Sequence, residues 1–246
     1  MKRTATEYFN TFRSATDAVA DDRYTSFDYC FNHFQSLREA GELDRLRSGD
    51  GLQTGCMQLG FYLASWGMYR GSSKLLGKSA RYLMPMMRAV ADAEPELWTI
   101  DVDSYSDENI ARLIDFRGKV RQSFDHQISA TLITKIMLGV FGNVPALDSY
   151  FYRGTGRNSF DEPTLQWVKS FYGADRAEVD ELRPMTLDFE TGDQASLHPC
   201  QGHRHDRILC GVAWGTRRHP REPDQWQLPG GAMLVTIWNE LTSFAA

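Results

Sequence analysis

Gly51-Leu-Gln-Thr-Gly-Cys-Met-Gln-Leu-Gly-Phe-Tyr-Leu-Ala-Ser-Trp-Gly-Met-Tyr69 is the stretch on which the fold turns. Leu52, Met57, Leu59, Phe61, Tyr62, Leu63, Trp66 and Met68 spread apolar groups nearly all round a helical wheel. A helix apolar on every side belongs in the middle of a fold. Gly60, Ala64, Gly67 and Gly71 follow at intervals of three or four, so another backbone could approach closely. The run is too short and too interrupted to cross a membrane, which takes about 18 or more apolar residues.

Helical spacing continues on both sides of this core stretch. Thr4-Ala-Thr-Glu7 has the form of a capping box and precedes Tyr8, Phe9 and Phe12. Thr25-Ser-Phe-Asp28 opens a second helix carrying Phe27, Cys30, Phe31, Phe34 and Leu37, which ends near Gly41. Ser72 or Ser73 is expected to cap a helix running to about Ala93, with Pro85 as a kink or break. Ser106-Asp-Glu108 places a cap before two first-turn acids, with Ile110, Leu113, Ile114 and Phe116 on the buried face. Ile128 to Phe141 reads as helix and stops at Gly142-Asn-Val-Pro145. A short helix should begin at Pro145, followed by Glu162–Tyr172 and Ala177 to about Leu182. Little period-two alternation occurs, so the expected class is all-α: one compact domain over residues 1–194, about nine helices in all.

Composition limits what such a domain does. The 246 residues are 42% hydrophobic and 24% charged, ordinary for a globular chain that needs neither disulfides nor metal to fold. A net charge of −5 supplies no global attraction for nucleic acid, though a local basic patch is compatible with it. The first residues lack the apolar run of a signal peptide. Cys30 and Cys56 fall within apolar helical patterns and read as small buried hydrophobes, consistent with a reducing cytoplasm. No membrane partner and no cofactor are expected.

Two segments carry candidate chemistry. In Leu63-Ala-Ser-Trp-Gly-Met-Tyr-Arg-Gly-Ser-Ser73, a helix passes into a tight turn and a new helix start. Arg70 and the amides near Ser72 and Ser73 form a candidate anion site. The alternative is a structural turn, with Arg70 paired to a carboxylate or capping carbonyls. In Thr134-Lys-Ile-Met-Leu-Gly-Val-Phe-Gly-Asn-Val-Pro-Ala-Leu-Asp-Ser-Tyr-Phe151, Lys135 and Asp148 could converge on one cleft. A lysine amine can attack a sugar carbon while a carboxylate stabilises the resulting cation. The alternative is a solvated Lys135 and an Asp148 that serves a helix dipole. Tyr150 and Arg153, just beyond Asp148, complete the candidate binding set.

Leu59 to Ser73 and Leu132 to Phe151 resemble a widespread bacterial family of uncharacterised proteins, and the likeness runs from about Thr6 to Gly192. The second segment also resembles, more faintly, the helix-hairpin-helix DNA glycosylases, in which a lysine-bearing helix precedes a Pro-x-x-Asp element. That likeness implies Lys135 as nucleophile, Asp148 as electrostatic partner, and DNA as partner in repair or phage defence. Here Gly139-Val-Phe-Gly142 departs from that family's Gly-x-Gly hairpin. The rival expectation is a non-catalytic binding protein built around Arg70.

The segment 195–246 differs in kind: it lacks lysine and holds four of the chain's six histidines and four of its nine prolines. Cys200, His203, His205 and Cys210 fit no familiar zinc-ligand spacing, so no metal is expected. The bacterial family's pattern implies a closing aromatic-x-x-Ala-Lys-x-Ile-Asp-Met helix after a Phe-Glu-Thr-Gly stretch. Phe189-Glu-Thr-Gly192 is present and the helix is not. One set of codons for Leu197 to Asp206, CTA CAC CCG TGC CAA GGT CAT CGA CAT GAT, contains it out of frame. Flanked by CA and C, these codons read His-Tyr-Thr-Arg-Ala-Lys-Val-Ile-Asp-Met-Ile. An irregular tail produced by a frameshift near Asp193 to Ser196 is therefore expected, the alternative being a divergent native tail.

Overall fold

Helices organise all that is described of this chain in its computed structural model, which covers residues 20–174, 176–181 and 186–193. The α-helices are α1 (Ser26–Glu39), α2 (Gly49–Ser65), α3 (Met84–Ala91), α4 (Asp107–Gln122), α5 (Ala130–Phe141), α6 (Ser149–Thr155), α7 (Glu162–Ala174) and α8 (Arg176–Glu181). Five short 3-10 turns join them, and no strand occurs among the described residues. The Thr4 helix and the 195–246 tail, with its cysteines and histidines, lie outside the described residues.

The centre of the fold is α5. Every residue from Leu132 to Phe141 is buried. Helix α1 packs against both α2 and α5, and α2 in turn touches α5. Phe27, Tyr62 and Trp66 meet through their rings at 5.1–5.9 Å between centroids. Trp98 and Phe116 both set their edges against Phe141. One continuous apolar cluster thus reaches from α1 to α7.

Helix α2 is less enclosed than its composition predicts. Leu59, Tyr62 and Leu63 are fully buried, yet Met57 and Phe61 on the opposite stripe are 57% and 66% exposed. The helix ends at Ser65, earlier than expected, because Gly67 adopts φ +77°, a conformation that breaks helical continuation. The spaced small residues divide between roles. A Cβ on Gly60 would meet Ala80 and Leu83 at 3.6 Å, whereas Gly67 and Gly71 supply left-handed turns.

The expected Ser72–Ala93 helix is corrected. Turns occupy residues 74–77, a 3-10 turn covers Ala80–Leu83, and α3 begins only at Met84. Pro85 sits in the first helical turn, where its missing N–H costs nothing, so it starts this helix instead of kinking it. Serine caps two of the later helices. Ser106 Oγ accepts the Asn109 amide at 3.1 Å, and Ser129 Oγ accepts the Leu132 amide at 3.1 Å. Gly142, at φ +67°, closes α5. Helix α6 begins at Ser149 and not at Pro145, because Thr131 and Thr134 hold the intervening segment against α5.

Candidate functional site

The two motifs meet at the end of α2. Lys135 and Gly139 are one turn apart on α5 and face the same way. A Cβ on Gly139 would lie 2.4 Å from the Tyr62 ring, so glycine is what lets that ring sit on the α5 backbone. Tyr62 OH donates to the Lys135 carbonyl at 3.1 Å. The Lys135 side chain runs from this contact to the end of α2. Its Nζ donates to the Trp66 carbonyl at 2.8 Å and lies 3.5 Å from Met68 Sδ. Lys135 is 5% exposed, so the alternative expectation of a solvated helix residue is overturned. An ammonium placed at a helix C-terminus also matches the negative end of the helix dipole.

Asp148 stands one residue from a parallel anchor. Thr134 Oγ1 accepts the Leu147 amide at 3.0 Å, and Thr131 Oγ1 donates to the Leu147 carbonyl at 2.7 Å. On α5, Thr134 lies about 100° and Thr131 about 40° round the helix from Lys135. Asp148 is 9% exposed, and its Oδ1 accepts the Phe151 amide at 3.1 Å, the geometry of an N-cap for α6. Tyr150 and Arg153 belong to α6, but their side chains lie outside the described residues.

The Arg70 turn is built from glycine and serine. Ser73 Oγ donates to the Met68 carbonyl and accepts the Leu75 amide, so this hydroxyl is committed to the turn itself. Ser72 is exposed. No helix follows either serine, which removes the helix N-terminus on which the anion reading partly rested. Arg70 itself is exposed, with its guanidinium folded over Gly67: a Cβ there would meet Nε at 2.8 Å. No carboxylate pairs with Arg70 among the described residues.

Two further clusters have no counterpart in the sequence reading. Tyr82 OH donates to Asp125, whose carboxylate also meets His126 Nδ1, while Lys78 Nζ lies 4.7 Å from the Tyr82 ring centre. Partial burial, then the Asp125 bond, push the Tyr82 hydroxyl up to about 12. The Tyr82 hydroxyl in turn lowers the Asp125 carboxyl. A cleft of about 380 Å³ between α1 and the start of α2 is lined by His33, Leu37, Glu42, Arg45 and Thr54, with burial lowering the His33 pKa. Both clusters join residues distant in sequence, and neither contains a short-range motif that would announce it.

Among the described residues no group of three or more His, Cys, Asp or Glu side chains is arranged to hold a metal, and no helix is long and apolar enough to cross a membrane. Comparison with protein-family models, curated proteins and solved structures finds no match.

Proposed function

We propose that this chain is a non-catalytic binding protein that receives an anionic group at the Arg70 turn, and not a lysine-dependent glycosylase. The engagement of Lys135 carries this reading. Its amine is buried in the core and donates to the Trp66 carbonyl. A lysine nucleophile needs a free lone pair directed into an open cleft. Leaving this position would give up that buried bond. The capping bond of Asp148 supports the same view, because a buried N-cap carboxylate is occupied by its own helix. Arg70, by contrast, offers an exposed planar donor set suited to phosphate or carboxylate.

The Pro145–Asp148 likeness to glycosylases makes DNA the polyanion to test first. Fluorescence anisotropy with labelled single-stranded and duplex DNA at low salt measures it. Arg70→Ala should weaken binding several-fold and reduce the salt slope by about one. Borohydride reduction in the presence of abasic DNA should trap no adduct. An adduct that disappears in Lys135→Ala would replace this reading with the glycosylase one. Unchanged binding of DNA and of inorganic pyrophosphate by Arg70→Ala and Arg70→Glu would reject the anion site.

A further inference from the structure

We infer that the turn at residues 73–78 rests on an anionic lipid surface, which makes this protein a peripheral membrane binder. The inference rests on the reading of the Arg70 turn as an anion receiver, and it names the source of the anion: the phosphate of a lipid headgroup. The sequence supplies the charge. No Asp or Glu occurs between Asp50 and Asp92, whereas Arg70, Lys74, Lys78, Arg81 and Arg88 all fall there. All five cations are exposed, and none forms an ion pair among the described residues. No described helix is long and apolar enough to cross a membrane, so the contact is with the bilayer surface.

The turn is fixed from below. Leu75 is fully buried, and the chain folds tightly around it: the Leu76 amide donates to the Ser73 carbonyl at 3.1 Å, and the Lys78 amide to the Leu75 carbonyl at 2.9 Å. Gly77, at φ +80°, takes the left-handed conformation that completes the turn. With Leu75 pinned inside, its neighbour Leu76 is left 56% exposed. Lys74 and Lys78 are each two residues from Leu76, so their backbones lie within about 7 Å of it. Their apolar stems can lie along the leucine while the ammonium groups stay in water. Two cations astride one exposed leucine match a bilayer interface, where headgroup phosphates border the acyl chains. A nucleic-acid backbone would take the lysines and leave the leucine in water. One carboxylate borders this group. Asp125 accepts Tyr82 OH and meets His126, and Lys78 Nζ lies 4.7 Å from the Tyr82 ring centre. Asp125 therefore offsets part of the Lys78 charge, while Arg70, Lys74 and Arg81 keep theirs. The chain carries −5 overall, so an anionic surface repels the molecule as a whole and favours approach through this basic segment.

The test is co-sedimentation of the full-length protein with vesicles of phosphatidylcholine alone and of equal parts phosphatidylcholine and phosphatidylserine. Wild type should sediment with the mixed vesicles and not with the neutral ones, and added salt should weaken the binding. Leu76→Ser should weaken it about tenfold through lost apolar burial. Lys74→Ala should weaken it about fivefold, the effect of one cation at an anionic surface. Phe189→Ser, which removes an exposed ring elsewhere, should leave it unchanged. Circular dichroism confirms that each variant is folded. Inorganic pyrophosphate binding by wild type and Arg70→Ala reports on the anion reading separately. Pyrophosphate binding without vesicle binding would overturn this inference alone, and failure to bind either would overturn both readings. Equal sedimentation with neutral and mixed vesicles, a Leu76→Ser variant that binds like wild type, or a protein that binds DNA but no vesicle would each overturn the inference as well.

Discussion

Gly139 and Gly118 look alike in sequence, each a glycine inside a helix, and the fold gives them opposite meanings. On α5, a Cβ at Gly139 would be driven into the Tyr62 ring at 2.4 Å, and neither partner can yield without moving a buried helix. On α4, a Cβ at Gly118 would meet nothing within 4 Å. Gly139→Ala should therefore lower stability by about 2 kcal/mol, because overpacking exceeds the gain in helix propensity. Gly118→Ala should raise stability by up to about 1 kcal/mol through the same propensity. Urea unfolding of both variants checks the contrast, and a neutral Gly139→Ala would show that α2 and α5 are less tightly apposed. Lys135 illustrates the same dependence on surroundings. Its spacing along α5 is that of any helical lysine, but Gly139 and Tyr62 draw α2 against its face and set the Trp66 carbonyl within its reach.

The segments between helices are held as firmly as the helices. Asn143 follows the end of α5; its Nδ2 donates to the Leu97 carbonyl at 3.1 Å, and its own carbonyl accepts Tyr105 OH at 2.7 Å. These bonds tie the Gly142–Leu147 segment to the region before α4. Burial, with a smaller effect from Asp101, pushes the Tyr105 hydroxyl well above its ordinary value of 10.0. The folded state therefore keeps the proton that the unfolded chain releases near pH 10. Stability from this group is complete below that pH and is lost as pH rises beyond it. At pH 8, Tyr105→Phe should cost about 1 kcal/mol for the lost bond. Between pH 9 and 11.5 the melting temperature of the wild type should fall more steeply than that of the variant. Thermal melts across this range, with absorbance at 295 nm reporting tyrosinate, measure it; parallel slopes would mean that Tyr105 ionises in the folded state.

At the scale of the molecule, the apolar cluster from α1 to α7 is continuous, so the described helices should unfold together. Cys30 and Cys56 report on this from two different helices. They are 0% and 3% exposed, and burial raises both thiol pKa values. Neither should react with iodoacetamide in the native protein, and both should become labelled at one shared urea midpoint, read by peptide mass mapping. Labelling of Cys56 at lower urea than Cys30 would divide α2 from α1 and refute a single cooperative unit. Met57 and Phe61 show the limit of reading burial from composition: α2 is apolar around most of its circumference, yet no neighbouring element covers this stripe among the described residues.

The sequence by itself determined the helical class, most helix starts and the buried cysteines. These depend on local chemistry: a serine that captures an amide two or three residues ahead, a glycine that accepts positive φ, an apolar face repeated each turn. It also singled out the two segments that meet at the end of α2. What they do there was decided by tertiary structure. A lysine's spacing does not reveal whether its amine reaches solvent, a sugar or a carbonyl 69 residues away in the chain. Likewise Asp148 is suited by local sequence to cap a helix or to serve a cleft, and the packing of Thr131 and Thr134 against Leu147 fixes where α6 begins. Helix α5, not α2, is buried along its length, because α1, α2 and α4 close around α5 while no described element covers Met57 and Phe61 on α2, and that placement is a property of the assembled fold.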